Sequence, residues 1–154
     1  MPSFKIIITA CLAVAIFSCK TPSTLPHTKH GGIKFIKNEG STITLTTQHY
    51  NSQLNDAIAS AEINLIENLL YTGVPNSNHE KPLIRDKGYA LDCCALVLDE
   101  FIYKGGYKEY LMESNVLNKS FSNSLHWVEI EATFNMDGIR LFLENKNVIR
   151  KFGL

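Results

Sequence analysis

The chain has 154 residues, and its 15 Lys and Arg balance 15 Asp and Glu, so it carries no formal net charge at neutral pH. That balance excludes the strong basic field by which nucleic acid or an anionic lipid surface is held, and no nucleic-acid partner is expected. Without its first thirty or so residues the chain keeps about 120, enough for a single domain with a modest core.

The amino-terminal stretch Met1–Cys19, MPSFKIIITACLAVAIFSC, has the layout of a secretory signal: a short segment with Lys5, then an apolar run from Ile6 to Phe17. The run is too short to stay as a membrane-spanning helix, which needs about 20 residues. Its end, Ile16-Phe17-Ser18-Cys19, resembles the lipobox of bacterial lipoproteins. A cysteine is needed there because its thiolate accepts a diacylglycerol group, and the amine freed by cleavage takes a further acyl chain. Two or more chains anchor stably, at about 0.8 kcal/mol per buried CH₂. The reading is therefore a lipoprotein signal peptide over residues 1–18 and lipidation at Cys19, with Cys11 leaving in the cleaved piece. Residues 19–32 form a lipidated tether, KTPSTLPHTKHGG after the cysteine, partly stiffened by Pro22 and Pro26. Its His27 and His30 read as solvated tether residues, and no metal site is assigned to them. Residues 33–154 form the folded domain.

Ile33 to Ile36 is short and apolar, Asn38-Glu39-Gly40 reads as a turn, and Ser41 to Gln48 is β-branched and alternating. Together they predict a hairpin on a half-buried sheet. A helix follows over Ser52–Thr72, with Asn51 or Ser52 at its start. Leu54, Ile58, Ala61, Leu65 and Leu69 recur at steps of three and four, while Asn55, Ser60, Glu62, Asn64 and Glu67 fall mostly outside that stripe. Gly73 is expected as a left-handed cap and Pro75 as a stop. The segment to Pro82 is a polar loop, where the neighbours His79 and Glu80 read as solvated side chains for want of a nearby nucleophile or oxyanion donor.

A second helix is predicted from Asp86 or Lys87 to Lys104, with Ala90, Cys94, Val97, Leu98 and Phe101 inward and Asp92, Asp99 and Glu100 outward. The two carboxylates Asp92 and Asp99 are about 10 Å apart along such a helix and read as solvated. Cys93 and Cys94 are adjacent. On a continuous helix their side chains diverge by about 100° and cannot bridge without breaking it, so the pair is expected as small buried residues, with a mixed disulfide to a partner as the competing reading and a redox role disfavoured by the missing C-x-x-C spacing. Gly105-Gly106 ends the helix, and Tyr107 to Met112 suggests a short third one. Tyr103, Tyr107 and Tyr110 read as rings buried with their hydroxyls wet, with a glycan- or peptide-binding strip as the alternative. Asn118 to Ser124 is expected as loop. His126 to Phe134, HWVEIEATF, is the clearest strand, with Val128, Ile130, Ala132 and Phe134 on its apolar face and Trp127 on the other, covering a sheet edge. Asn135 caps a last helix, after which Val148, Ile149 and Phe152 dock on the core.

Three stretches, AIASAEINLIENLLYTGVPNSNHEKPLI, LDEFIYKGGYKEYL and IRLFLENKNVIRKFGL, resemble an uncharacterised family of exported proteins and lipoproteins of Bacteroidota-type bacteria. More distantly the chain is similar to the small α+β domain of outer-membrane lipoproteins and flagellar accessory proteins. In this chain Asn76 stands where a glycine is usual after the turn proline, and Cys93-Cys94 lies outside the pattern. The resemblance implies export and an α+β fold, and it carries no catalytic residue across.

The expected architecture is α+β: one small, mainly antiparallel sheet covered by two to four helices in a single domain, with the strand Trp127–Phe134 paired to Ser41–Gln48 and both long helices on its apolar face. The expected role is non-enzymatic binding or scaffolding by a lipoprotein anchored through Cys19 to the outer membrane of a bacterial cell envelope, facing the periplasm, with an envelope protein as partner and no cofactor. The alternative is a small envelope hydrolase or peptidoglycan-active enzyme. It requires the separated residues His79, Glu80 and His126 to converge, with His126 meeting Glu80 or Glu129 in a pocket.

Overall fold

The computed structural model describes residues 32–151. The expected signal peptide, Cys19, nearly all of the expected tether with its histidines, and Phe152 lie outside the described residues. Four strands form one antiparallel sheet: β1 (Lys34–Glu39), β2 (Thr42–Asn51), β3 (Leu111–Ser122) and β4 (Leu125–Asn135), in the order β1-β2-β4-β3. Three helices accompany it: α1 (Leu54–Tyr71), α2 (Lys87–Ile102) and α3 (Met136–Asn145), with a 3-10 turn at Gly106–Tyr110 before β3. The α+β architecture expected from the pattern is the one observed.

The central pairing is β2 with β4, running from Thr42 opposite Asn135 to Asn51 opposite His126. Its inward face carries Ile43, Leu45, Val128, Ile130, Ala132 and Phe134, all at most 1% exposed. Alternation dictates this, since every second residue of a strand shares a face and only the apolar set gains by leaving water. The outer face is polar, and there the hydroxyls of Thr44 and Thr133 bond across the strands at 2.9 Å. Trp127 lies on that face opposite Tyr50, but on a central strand, so it covers no sheet edge.

Both hairpins turn on two residues. Gly40, at φ +58°, and Ser41 join β1 to β2. Asn123 and Ser124, at φ +52° and +62°, join β3 to β4 with the left-handed pair that suits the twist of the flanking strands. The second hairpin corrects the sequence reading. The Tyr107–Met112 helix is a 3-10 turn that stops at Tyr110, and the loop expected over Asn118 to Ser124 is mostly strand. Strand β3 hides its period because irregularities at Leu111/Glu113 and Val116/Asn118 shift its register, and it is exposed almost throughout. As an edge strand it is blunted by those bulges and by Lys119, which stands opposite the inward residue Val128.

Helix α1 lies across β2 and β4 and buries Ala57, Ala61, Leu65, Ile66, Leu69 and Leu70. Its start departs from expectation: Gln53 is the cap residue and makes no side-chain bond, while the Asn51 side chain accepts from the Ser52 amide at 2.7 Å. Its end agrees. Gly73 takes φ +84°, and a Cβ there would lie 2.1 Å from the Glu80 carbonyl oxygen, so no other residue fits. Asn76, at φ +63°, adopts the left-handed conformation that asparagine tolerates better than most residues.

Helix α2 starts as read, with Asp86 accepting from the Tyr89 amide at 2.9 Å. It does not share the sheet face with α1. It packs on the 3-10 turn and on the flank of α1, and buries Ala90, Leu98, Phe101 and Ile102. The reason is width. A helix with side chains is about 10 Å across, and two strands are about 4.8 Å apart, so α1 alone fills the apolar strip of β2 and β4. Phe101 of α2 stacks on Phe142 of α3 at 4.7 Å between ring centroids, and Tyr110 lies 5.9 Å from each. Helix α3 opens with the Asn135 side chain accepting from the Gly138 amide at 3.0 Å and closes with Val148, 3% exposed, and Ile149 packed on the core.

Candidate functional site

An open groove of about 810 Å³ runs between α1 and α2. Asn64, Glu67, Asn68 and Tyr71 form its α1 wall at helical spacing. Lys87, Leu91, Ala95, Leu98 and Tyr103 form the opposite wall and part of the floor. The groove exists because α2 leans on the flank of α1 rather than beside it on the sheet, which leaves the polar edge of α1 open along one side.

Hydrogen bonds fix the α1 wall. Asn64 is 1% exposed, and its amide donates to the Thr47 hydroxyl at 3.0 Å. The Asn68 amide donates to the Asn64 carbonyl oxygen at 2.9 Å and to its side-chain oxygen at 3.1 Å. The Tyr103 hydroxyl donates to Glu67 across the groove. Lys87 places its ammonium 4.6 Å from the centre of the Tyr71 ring. Burial, then the Glu67 carboxylate, pushes the Tyr103 hydroxyl well above the ordinary phenol range, and the same two causes raise Tyr71. Both phenols stay protonated at neutral pH; the Tyr103 proton is committed to Glu67, so the groove offers the Tyr71 hydroxyl, amide groups, ring faces and a leucine floor. That set recognises a ligand through hydrogen bonds and apolar contact.

Away from the groove, α1 holds a buried carboxylate that the sequence reading placed outside the apolar stripe. Glu62 is 6% exposed and accepts from Tyr107 at 2.8 Å and from Ser114 at 2.7 Å. Those bonds tie α1 to the 3-10 turn and to β3, and Tyr107 is buried with its hydroxyl on Glu62 rather than wet. Neither partner is foreshadowed by the helical period of α1. Both come from elements over 40 residues downstream, at separations of 45 and 52.

The remaining sequence candidates do not converge. His126 stands at the end of β4 with its ring 4.6 Å from that of Phe121. Glu129 lies on the outer sheet face, where Asn118 and Gln48 donate to it and hold its carboxyl below the usual range. His79 stays in the loop after α1, its imidazole held below the ordinary value by burial and then by Arg140, with Asp137 opposing. His126 and Glu129 stand three residues apart on β4 and so face opposite sides of the sheet. Asp99 pairs with Lys104 at 3.2 Å. The three tyrosines separate: Tyr107 into the core, Tyr103 into the groove, Tyr110 against Phe101 and Phe142.

Cys93 and Cys94 overturn their expectation. They are joined by a disulfide, Cys93 is exposed and Cys94 half-buried, and Cys94 leaves helical geometry at φ −136°, ψ 22°. The geometric premise holds, because the bond exists where the helix is broken. The expectation of two buried thiols fails because α2 has one covered face, and that face passes through Ala90 and Leu98.

Among the described residues no helix is long and apolar enough to cross a membrane, and no group of three metal-ligating side chains comes together. Comparison with protein-family models, with curated proteins and with solved structures finds no match for this chain.

Proposed function

We propose that this chain is a bacterial envelope lipoprotein of non-enzymatic role: lipid on Cys19 holds it at the outer membrane, the tether to residue 32 spaces it from the surface, and the domain binds a segment of an envelope protein in the α1–α2 groove. The observation that carries the binding half is the groove itself. It places amides, protonated phenols and a lysine around an apolar floor, the mixture that an extended peptide needs for its backbone groups and one or two apolar side chains. The anchoring half is supported by the apolar run that ends in Ser18-Cys19. The resemblance to exported Bacteroidota-type proteins fits the same location.

Each half has its own test. Mass spectrometry of the amino-terminal peptide from membranes should find acylated Cys19 as the first residue, and Cys19→Ala should release the protein or stall its precursor. An unmodified Cys19 in a soluble protein defeats the anchor. For the groove, a photo-crosslinking residue at Leu91 should capture one envelope protein in the native host, and the same residue at Glu113 on β3 should not. Equal capture from both positions, or none from Leu91, defeats the groove as the binding site.

A further inference from the structure

We propose that the Cys93–Cys94 disulfide is a two-electron redox switch that sets the bend of α2 and, through it, the shape of the groove. Along an α-helix successive side chains diverge by about 100°, so two neighbouring sulfurs cannot bond while both residues keep helical dihedrals. Here they are bonded, and Cys94 sits at φ −136°, ψ 22° inside a segment that is otherwise one helix. The bond and an unbroken helix therefore exclude each other at this position, and breaking the bond frees Cys94 to rejoin the helix.

The surroundings fit a switch. Each half of α2 is held independently. Asp86 caps the first half and Ala90 is buried in it, while Leu98, Phe101 and Ile102 anchor the second. The bend falls between the anchors, where motion costs least packing. Cys93 is exposed, so a thiol can reach it. The reduced sulfurs have acceptors waiting: Cys93 Sγ lies 3.9 Å from the Ala90 carbonyl oxygen, and Cys94 Sγ lies 3.9 Å from that of Asn147 just after α3. Neither sulfur carries a proton while bonded, so those contacts become S–H donations only on reduction. The groove reads the change, because Leu91 lies before the bend and Ala95 and Leu98 after it. Straightening α2 moves these two sets of side chains relative to each other.

The co-reactant is a dithiol reductant, a small molecule or a protein. Its thiolate attacks Sγ of Cys93, the Cys93–Cys94 bond breaks, and the electron pair leaves on Sγ of Cys94, which takes a proton. The reductant's second thiolate then attacks the mixed disulfide and forms its own disulfide, and Cys93 departs as thiolate and is protonated. The chain gains two electrons and two protons, and the dithiol loses the same.

The test uses the full chain and needs no groove ligand, so its failure leaves the binding proposal standing, and failure of that proposal leaves this one. Peptide mapping without reductant should find the Cys93–Cys94 peptide lighter by two hydrogens than after dithiothreitol. Amide hydrogen exchange over residues 94–98 should slow about tenfold on reduction as helical bonds close. Cys93→Ser and Cys94→Ala, neither able to form the bond, should each show the slow exchange with or without reductant. Two free thiols at these positions after treatment with oxidised glutathione overturn the proposal. So does exchange over 94–98 that is the same in the oxidised, reduced and variant proteins.

Discussion

Helices α1 and α2 are similar in length and in apolar content, yet they do different work. Helix α1 is unbroken, rests on the sheet, and draws even its polar residues Glu62 and Asn64 into the core, where Tyr107, Ser114 and Thr47 satisfy them. Helix α2 is broken at Cys94, rests on other helical segments, and leaves Leu96 80% and Leu91 44% exposed. The difference teaches that apolar content does not rank helices by structural weight. The neighbour that receives the stripe does, because a side chain gains its burial energy only against a surface that also leaves water.

The widest separation between the two helices should come from leucine truncations. Leu65→Ala, at a fully buried site over the sheet, should cost about 3–5 kcal/mol in chemical denaturation. A loss under about 1 kcal/mol would mean that α1 is not the principal core helix. Next, Glu62→Ala leaves the buried Tyr107 hydroxyl and the half-buried Ser114 hydroxyl without their acceptor and should cost about 2–3 kcal/mol. Glu62→Gln keeps one acceptor oxygen and should cost about half as much. Equal losses in the two variants would show that the carboxylate is not the tie between α1 and β3.

Removing residues 147–154 takes away buried Val148 and the neighbour of Cys94, and should cost about 2–3 kcal/mol and loosen the α2 side first. Deleting residues 20–30 should leave the Tm unchanged. If the carboxy-terminal truncation melts with the full chain, the tail does not close the domain.

Alkaline pH probes the Glu62 tie without mutation. Burial, and then the charge of Glu62, raise the Tyr107 hydroxyl in the folded protein, whereas in the unfolded chain it titrates near its ordinary value of about 10. Above that pH the unfolded state binds fewer protons than the folded one. The contribution is therefore complete below pH ~10 and is lost as pH rises beyond it, by up to about 1.4 kcal/mol per pH unit. In denaturation curves taken from pH 8 upward, Tyr107→Phe should flatten that decline. An unchanged decline would assign it elsewhere. The smallest effect belongs to α2: Leu96→Ala should stay within about 0.5 kcal/mol, and a larger loss would mean that this leucine is covered.

The sequence by itself determined the parts that rest on local period and local chemistry. Val128 to Phe134 alternates and forms a strand, Gly73 had to end α1, Asn135 and Asp86 cap their helices, and the apolar faces of β2 and β4 share a period that let them pair. Each is legible because a strand face, a cap or a left-handed residue is set by groups a few positions apart. Tertiary structure alone decided the rest. Strand β3 was hidden because its bulges interrupt the alternation and its side chains are mostly exposed, so only pairing to β4 defines it. Glu62 was misplaced because its donors arrive from the 3-10 turn and β3, and a helical period carries no trace of them. The groove exists because α1 fills the apolar strip of the sheet and turns α2 aside, a matter of widths that no single helix encodes. The two cysteines show both sides at once. Adjacency dictated that a bond between them must break a helix, but only the tertiary structure, with α2 anchored at both ends and partly exposed between, shows the helix broken there.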